Sequence, residues 1–362
     1  MNLNQLDKFR GCLIGGAVGD ALGGAVEFKT RQDIISALGE PGITDYAYAY
    51  GGLGKITDDT QMTLFTAEGL LAGQIHTIQS GNDNLTLAIG RAYQRWLLTQ
   101  KISSAITMDA HDNENPSWLM QQQDLHHRRA PGNTCLSALI AMQSFDMPAN
   151  NDSKGCGGVM RAAPVGLFAY NHAGMNNKDT FELGNNCAAL THGHPTGILT
   201  AGFLALLIKL LLDGQSLEAA IQKSCDYLIA FDEHEETLTA AEAAIGLAQE
   251  THTIIEAIEM LGEGWIAEEA LAIALYCCLK ATTFEEAIIM AVNHDGDSDS
   301  TGAITGNIMG AIHGLAVIPK RWLDSLELRD VIDMMSTDLF EYPSWPENIL
   351  HLQSPLALKY PL

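Results

Sequence analysis

This sequence contains no C-x-x-C motif and no recognisable signal-peptide pattern. The seven cysteines contain no C-x-x-C pair and their number is odd, so neither a disulfide framework nor a thiolate zinc site is expected. Near the N-terminus, Asp7, Lys8 and Arg10 precede a glycine-rich stretch that carries Asp20, which is not a signal-peptide pattern. A reducing compartment fits these features best, and we expect a cytoplasmic protein.

Basic residues are few. The chain has 20 Lys and Arg against 44 Asp and Glu, which gives a formal net charge of -24. A phosphate backbone would be repelled by such a field, so nucleic acid is a poor partner. The acidic surplus suits metal ions or a basic protein surface, although solubility alone accounts for the charge as a whole.

No hydrophobic run is long enough to indicate a membrane span. The longest run, at 198–212, is interrupted by Lys209 and is shorter than the roughly 20 residues that a bilayer requires. We interpret it as a buried core helix and expect no membrane partner. With 47% hydrophobic and 18% charged residues, the chain has ample apolar material for a large core.

Alternating, strand-like runs are scarce, and helical periodicity dominates. Apolar residues recur at i, i+3 and i+4 in the segments 62–72, 85–98, 135–145, 198–212, 217–230, 237–248, 254–261, 268–279, 284–292, 303–316 and 329–340. The pattern predicts an all-α protein, a single compact multi-helix domain over residues 1–362 with roughly ten or more helices. We expect it to be monomeric. No fixed-period repeat is visible, which argues against a helical solenoid.

Glycine-rich stretches lie far apart in the chain, at 11–24, 51–54, 155–158, 193–197 and 296–306. Glycine is used where the backbone turns sharply or approaches another group closely. Several of these stretches carry Asp, Thr, His or Arg. We therefore interpret them as loops at helix ends that assemble one site.

A first acidic block, Thr57, Asp58 and Asp59, stands directly before an amphipathic helix. One interpretation is helix capping, since Thr is a good N-cap residue and first-turn aspartates complement the helix dipole. The other is a hard-cation site, because carboxylates and a hydroxyl supply the oxygen ligands that Mg²⁺, Mn²⁺ and Ca²⁺ prefer. Taken alone, the block slightly favours capping.

A second acidic block, at 293–302, also precedes a helix and has three aspartates at a spacing of two. Without a nearby Lys or Arg they would repel one another unless neutralised. The block fails as an EF-hand, because counting from Asp295 puts Ser300 at the glycine position and Gly306 at the glutamate position. Two acidic blocks at predicted helix N-termini suit two ions, which in two-metal hydrolases lie roughly 3.5–4 Å apart.

Six motifs occur in a fixed order along the chain. They are FRGCLIGGAVGDALG at 9–23, EF at 27–28, TDDT at 57–60, GCGGVMR at 155–161, TH at 191–192 and GDSDSTG at 296–302. In this order and number, the set resembles the ADP-ribosylglycohydrolase family. The resemblance runs from about residue 9 to residue 313, which is most of the chain.

The resemblance implies roles for individual residues. The metal ligands of the family match Thr57, Asp58, Asp59, Asp297, Asp299 and Ser300. Its acidic catalytic residue matches Glu27, which would act together with the carboxylates of Asp58 and Asp299. The residues that bind ADP-ribose match Gly155, Gly157, Gly158, Met160, Arg161 and His192. Asp295 stands where many members have glycine, and it stays outside the predicted ligand set.

Considered without the family, several of these residues fit other roles. Arg161 fits a helix C-cap or an ion pair with an aspartate. Met160 fits core packing, His192 a buried core histidine, and Glu27 a surface carboxylate. These alternatives stay open at the level of the sequence.

The resemblance implies a metal-dependent hydrolase, with two divalent ions, Mg²⁺ or Mn²⁺, that removes ADP-ribose from ADP-ribosylated protein side chains. We expect the acceptor to be arginine, because the acidic net charge attracts basic surfaces and the loop Gly-Asp-Ser-Asp-Ser-Thr resembles that of arginine-specific members. One alternative is a two-metal phosphoesterase with similar ligands. The other is a non-catalytic relative that binds ADP-ribose, and the intact acidic blocks count against it.

Overall fold

The computed structural model describes residues 3–106, 116–345 and 354–362. Within these ranges the chain forms 17 α-helices and, apart from two isolated β-bridges, no β-structure, which confirms the predicted all-α class. The helices are α1 (Leu3–Gly23), α2 (Arg31–Leu38), α3 (Asp58–Ser80), α4 (Leu85–Thr99), α5 (Asn133–Ala141), α6 (Ala163–Asn171), α7 (Asn177–Ala189), α8 (Pro195–Leu212), α9 (Leu217–Leu228), α10 (Glu235–Gln249), α11 (Ile254–Leu261), α12 (Ala267–Lys280), α13 (Phe284–Ala291), α14 (Ser298–His313), α15 (Lys320–Ser325), α16 (Arg329–Glu341) and α17 (Pro355–Lys359).

Apolar periodicity predicted most of the long helices and missed α1, α2, α6, α7 and the short helices α15 and α17. Helix α6 is almost entirely buried, so it has no polar face to create a periodic pattern. Helix α7 begins at a capping box formed by Asn176 and Asp179. A search for apolar periodicity cannot detect this motif, because it consists of two polar residues. Tertiary burial therefore decides the helical state where amphipathic pattern is weak.

The sequence predicts a loop at the glycine-rich stretch 11–24, and this prediction is wrong. The stretch is helical up to Gly23 and forms most of the continuous helix α1. Each glycine in a helix interior costs about 1 kcal/mol relative to alanine, so a tertiary contact must offset that cost. The glycines Gly11, Gly15, Gly19 and Gly23 recur every fourth residue. They therefore share one face of the helix.

That glycine face packs directly against helix α14, which carries a matching row of glycines. A Cβ atom added at Gly19 would lie 2.0 Å from the carbonyl oxygen of Gly302, and one added at Gly306 would lie 2.0 Å from that of Gly15. No real side chain tolerates such distances, so the two backbones touch only because both rows are glycine. The predicted loop at 296–306 is accordingly helical from Ser298 onward.

Helix α8 crosses the interior of the protein. By length and composition it is the one helix of the described ranges that would suffice to cross a membrane, and 83% of its 18-residue window is buried inside the protein. It packs against α6, α7, α9 and α12. This is the buried core helix that the sequence predicts at 198–212.

We expect Gly306→Ala to destabilise the protein, because the new methyl group would collide with the Gly15 carbonyl and push α1 away from α14. Overpacking of this kind typically costs about 1–3 kcal/mol. The matched control is Gly246→Ala on α10, where an added Cβ atom meets nothing within 4 Å and should be neutral or stabilising by about 0.5–1 kcal/mol. Urea unfolding measures both variants, and equal free energies of unfolding would contradict the proposed helix contact.

Candidate active site

Both acidic blocks lie at helix N-termini, as predicted. Thr57 is the N-cap of α3, and its Oγ1 accepts a hydrogen bond from the Asp59 amide at 3.3 Å. Asp297 is the N-cap of α14 and accepts from the Ser300 amide at 3.3 Å. Capping thus accounts for one oxygen atom of each block. Asp58, Asp297 and Asp299 each accept one further hydrogen bond, from Gly132, Cys156 and Ser300 respectively, whereas Asp59 Oδ2 has no partner among the described residues.

The two helix N-termini open on one cavity of about 650 Å³, a size typical of small-molecule sites. Five further segments contribute to it: the turn after α1, the loop before α5, the segment at 155–160, the turn after α7 and the loop before α12. The lining residues are Glu27, Phe28, Asp58, Asp59, Arg128, Ala130, Pro131, Gly132, Asn133, Thr134, Cys135, Gly155, Cys156, Gly157, Met160, His192, Trp265, Asp297, Asp299 and Ser300.

The turn after α1 brings Glu27 into the acidic cluster. One ligand atom from each of Glu27, Asp297 and Asp299 can be chosen so that all three lie within 4.8 Å of one another. Glu27 follows the glycine face of α1, and the two aspartates open α14. The contact between these helices therefore sets the distances within the cluster.

Asp20 on α1 anchors the first acidic block, and it was not among the predicted site residues. Its fully buried carboxylate accepts hydrogen bonds from the amides of Thr57 and Thr60 at 3.0 and 3.1 Å and from Thr57 Oγ1 at 2.7 Å. Because the Thr57 hydroxyl donates to Asp20, its oxygen keeps lone pairs for a cation. The available signal was one carboxylate inside an apolar, glycine-rich segment.

Burial and mutual repulsion both disfavour the ionised forms of the clustered carboxylates. Burial, followed by the charge of Asp299, raises the pKa values of Asp58, Asp59 and Asp297 well above the ordinary aspartate range. Burial also raises the pKa of Glu27, and Asp299 and Asp297 add to the effect. Within the described ranges, the ion pairs join other residues and none neutralises this cluster. Bound cations would relieve the repulsion.

The donor set fits hard divalent cations. Glu27 Oε2 and Asp59 Oδ2 are buried and have no hydrogen-bond partner among the described residues, whereas buried acceptors are normally satisfied. Carboxylate and hydroxyl oxygens are the ligands that Mg²⁺ and Mn²⁺ prefer. The residues that could hold such ions are Thr57, Asp58, Asp59, Asp297, Asp299 and Ser300, with Glu27 beside them.

Asp295, the extra carboxylate of the second block, contacts a different element. Its Oδ1 accepts a hydrogen bond from the amide of Arg31, the first residue of α2. It lines two neighbouring depressions and not the acidic cavity. Asp295 therefore ties the second acidic block to α2.

A short 3₁₀ helix, Cys156–Gly158, forms one wall of the cavity. Gly157 faces the cavity, and a Cβ atom there would lie 2.8 Å from the sulfur of Cys135. Gly158 is buried behind the wall, where a Cβ atom would lie 2.8 Å from the Gly197 carbonyl oxygen. Of the glycines predicted to bind substrate, Gly155 and Gly157 line the cavity, whereas Gly158 serves helix packing.

Met160 and His192 complete this wall. The sulfur of Met160 lies 3.9 Å from the hydroxyl oxygen of Ser300, so the wall touches the second acidic block. Burial, followed by the charge of Arg161, lowers the pKa of His192 to about 3. The imidazole is therefore neutral, and because Nδ1 contacts Thr191 Oγ1 at 2.8 Å, Nε2 is the ring nitrogen left for a ligand.

Arg161 lies behind this wall, which corrects its predicted role in contacting substrate. It is fully buried, and its Nη2 donates to Thr191 Oγ1 at 2.6 Å and to the Cys187 carbonyl oxygen at 3.2 Å. Its guanidinium carbon lies 4.4 Å from the ring centroid of Tyr93. Since Thr191 Oγ1 is 2.8 Å from His192 Nδ1, Arg161 positions the histidine through Thr191.

A buried ionic network supports the first acidic block from behind, and the sequence motifs did not predict it. Arg129 pairs with Glu327 through both terminal guanidinium nitrogens and donates to the Ile56 carbonyl oxygen at 2.9 Å. Lys55 Nζ lies 2.7 Å from Glu327 Oε1. The Arg129 carbonyl oxygen accepts from the Asp58 amide at 3.3 Å. Glu327, beyond the range of the resemblance, thus helps to fix where α3 begins.

Fold and cavity together define a helical protein in which a cluster of oxygen donors that could hold cations lines a cavity of small-molecule size. Residues 1–348 match the family model described as ADP-ribosylglycohydrolase. The chain belongs to the ADP-ribosylglycohydrolase family, as the ordered motifs predicted. It is therefore a hydrolase of the kind that removes ADP-ribose from modified targets.

Individual relatives cover nearly the whole chain. The ADP-ribosylarginine hydrolase Tri1 of Serratia proteamaculans is 26% identical over 93% of this chain and 80% of its own length. The ADP-ribosyl-[dinitrogen reductase] glycohydrolase of Rhodospirillum rubrum is 26% identical over 89% of this chain and 91% of its own. A solved structure described as an ADP-ribosylglycohydrolase-related protein complex has a TM-score of 0.66 at 28% identity, covering 94% of this chain and 99% of its own.

We expect Asp20→Asn to weaken cation binding, although Asp20 is not itself a predicted ligand. The amide offers one acceptor oxygen and no charge, so Thr57 and Thr60 lose their shared acceptor. Loss of such a supporting partner typically costs about 10- to 100-fold in metal affinity or activity. Calorimetric titration with Mn²⁺ measures the change, with the exposed Asp324→Asn as control. Unchanged affinity together with a lowered Tm would assign Asp20 to the fold alone.

Proposed function

We propose that this enzyme hydrolyses the N-glycosidic bond between ADP-ribose and a protein arginine side chain, with two divalent cations, Mg²⁺ or Mn²⁺, held in the acidic cavity. The observation that supports this proposal most strongly is that one ligand atom from each of Glu27, Asp297 and Asp299 lies within 4.8 Å of the other two. Asp58 and Asp59 line the same cavity. Carboxylates from both ends of the chain thus surround one small-molecule site.

In this proposal the carboxylates act on the ribose attached to the acceptor. Bound cations would supply Lewis acidity toward the ribose hydroxyls and the attacking water. With their repulsion neutralised, Asp58 and Asp299 keep negative charge near the anomeric carbon, where an oxocarbenium-like transition state is positive. The wall of Gly155, Gly157 and His192 is left for the remainder of the nucleotide.

Glu27 is the proposed general acid. Guanidine leaves readily only when its departing nitrogen is protonated, so a carboxylic acid must lie within reach of it. Glu27 Oε2 is buried beside Asp297 and Asp299 and has no hydrogen-bond partner among the described residues. The side chain is therefore placed to give a proton to the leaving nitrogen and to accept one from water.

Three observations support arginine as the acceptor. The net charge of -24 attracts basic protein surfaces. The carboxylates of the cavity suit charge-assisted hydrogen bonds to a guanidinium, which a serine oxygen cannot form in the same way. A relative that covers most of the chain is an ADP-ribosylarginine hydrolase.

A phosphoesterase and a non-catalytic ADP-ribose-binding protein are the rival functions. A two-metal phosphoesterase would use similar carboxylates on a phosphate, but membership of a glycohydrolase family favours the glycosidic bond. A binding protein would have no need for the costly cluster of buried carboxylates. Both acidic blocks are complete here, which supports turnover.

We also propose that the enzyme works in a reducing compartment, the cytoplasm. All seven cysteines are free and six of them are buried. Unpaired thiols persist where glutathione and thioredoxin keep them reduced.

Chelation should abolish hydrolysis, and Mg²⁺ or Mn²⁺ should restore it, because the carboxylates repel one another without a cation. The metal-free protein should also have a lower Tm than the loaded protein, since a ligand that binds the native state stabilises it. Thermal unfolding and product release are measured on the same samples, with metal content checked by elemental analysis. Full activity at negligible metal content would contradict the cation proposal.

Asp58→Ala and Asp299→Ala should each remove most turnover while the helical circular dichroism spectrum is kept, because both residues open helices beside the cavity. Asp226→Ala, an exposed position on α9, is the control. Thr57→Ala is less informative, since loss of the cap also costs typically about 1 kcal/mol of stability. If both aspartate variants keep wild-type rates, the carboxylates serve as helix caps only.

Matched peptides that carry ADP-ribose on arginine or on serine test the acceptor directly. At equal concentration, we expect faster release of ADP-ribose from the arginine peptide, because the carboxylates pair with its guanidinium. Mass spectrometry of both peptides in one reaction gives the rate ratio. Faster release from the serine peptide would overturn the acceptor and leave the hydrolase intact.

A further inference from the structure

Two exposed aromatic side chains stand at the acidic cavity. The side chain of Phe28 is 72% exposed and that of Trp265 is 39% exposed. Their rings are stacked, with centroids 5.9 Å apart and an interplanar angle of 18°. Both belong to the cavity lining. Together they form an aromatic pair that leaves large apolar faces open to a ligand.

Chain connectivity and backbone hydrogen bonds hold the aromatic pair next to the acidic cluster. Phe28 directly follows Glu27, the proposed general acid. The Trp265 carbonyl oxygen accepts from the Cys156 amide at 3.2 Å, and the Glu263 carbonyl oxygen accepts from the Asp297 amide at 2.8 Å. The loop before α12 is therefore tied both to the glycine-rich wall and to the second acidic block. A group that rests on these rings would therefore lie beside the proposed general acid and the acidic cluster.

The chemistry of the surroundings selects a planar cation for these rings. Aromatic faces attract guanidinium groups through stacking and cation–π contact. The cavity lining holds five carboxylates against one cationic side chain, Arg128, which lies in the loop before α5. Because two bound divalent cations would offset most of the carboxylate charge, a flat, positively charged group gains chiefly from the rings. The hydroxymethyl group of a serine acceptor has neither a planar face nor a charge.

We propose that Phe28 and Trp265 form a stacking surface for the guanidinium group of the modified arginine, and so set the acceptor specificity of the enzyme. This inference rests on the proposed arginine hydrolase function. It assigns the pair to the leaving group, whereas the adenine ring of ADP-ribose, which is also planar, would bind elsewhere in the cavity.

The test compares wild type with Phe28→Leu and Trp265→Leu, which keep an apolar side chain and remove the ring. For an ADP-ribosylarginine peptide we expect KM to rise about 3- to 30-fold, the range of a cation–π contact. If the contact is equally strong in the bound substrate and in the transition state, its loss raises KM and leaves kcat within about twofold. The Kd of free ADP-ribose, measured by calorimetry, should stay unchanged.

Two controls separate stacking from general damage. Phe28→Tyr restores an aromatic face and should return KM to the wild-type value. Ile229→Ala removes an exposed apolar side chain at the end of α9 and should change neither constant. All variants should keep the wild-type Tm, because the altered side chains are at the surface.

The possible failures are distinguishable. If KM and the Kd of free ADP-ribose rise together, the pair binds adenine and the inference is overturned. Unchanged constants in both ring-deleted variants would overturn it as well. In these cases the wild-type enzyme still cleaves the arginine peptide, so the proposed function stands. If wild type releases ADP-ribose from the serine peptide alone, both proposals fail.

Discussion

The contact between the glycine faces of α1 and α14 is the constraint on which the rest of the site depends. A Cβ atom on either face would lie 1.9–2.6 Å from a carbonyl oxygen of the other helix, so only glycine allows the two backbones to touch. This contact joins the first helix of the chain to one near its end. Glu27, in the turn after α1, and Asp297, at the start of α14, meet as its direct consequence.

Around this contact, a second set of buried polar groups fixes the other acidic block. Asp20 reaches from α1 to the first turn of α3, and the ionic network of Arg129 and Glu327 holds the segment just before it. These groups are expensive to bury and are satisfied by several hydrogen bonds each. Their common effect is to hold carboxylates near one another that electrostatics alone would drive apart.

The cavity therefore combines two kinds of surface with different tasks. The carboxylates at the two acidic helix ends form a charged centre that fits cations. The glycine-rich wall and the aromatic pair of Phe28 and Trp265 surround that centre with shape and apolar faces. We propose that the charged centre cleaves the bond and that the surrounding surfaces recognise the nucleotide and the acceptor.

The sequence by itself determined the helical class, through apolar residues at helical spacing, and the two acidic blocks, through carboxylates at helix N-termini. Ordered motifs determined the family. Tertiary structure alone decided that residues 11–23 are helical, because the cost of their glycines is offset by contact with α14. It also decided that Arg161 points behind the wall and that Asp20 and Glu327 support the site. Local pattern records what a residue prefers, whereas these positions depend on partners far away in the chain.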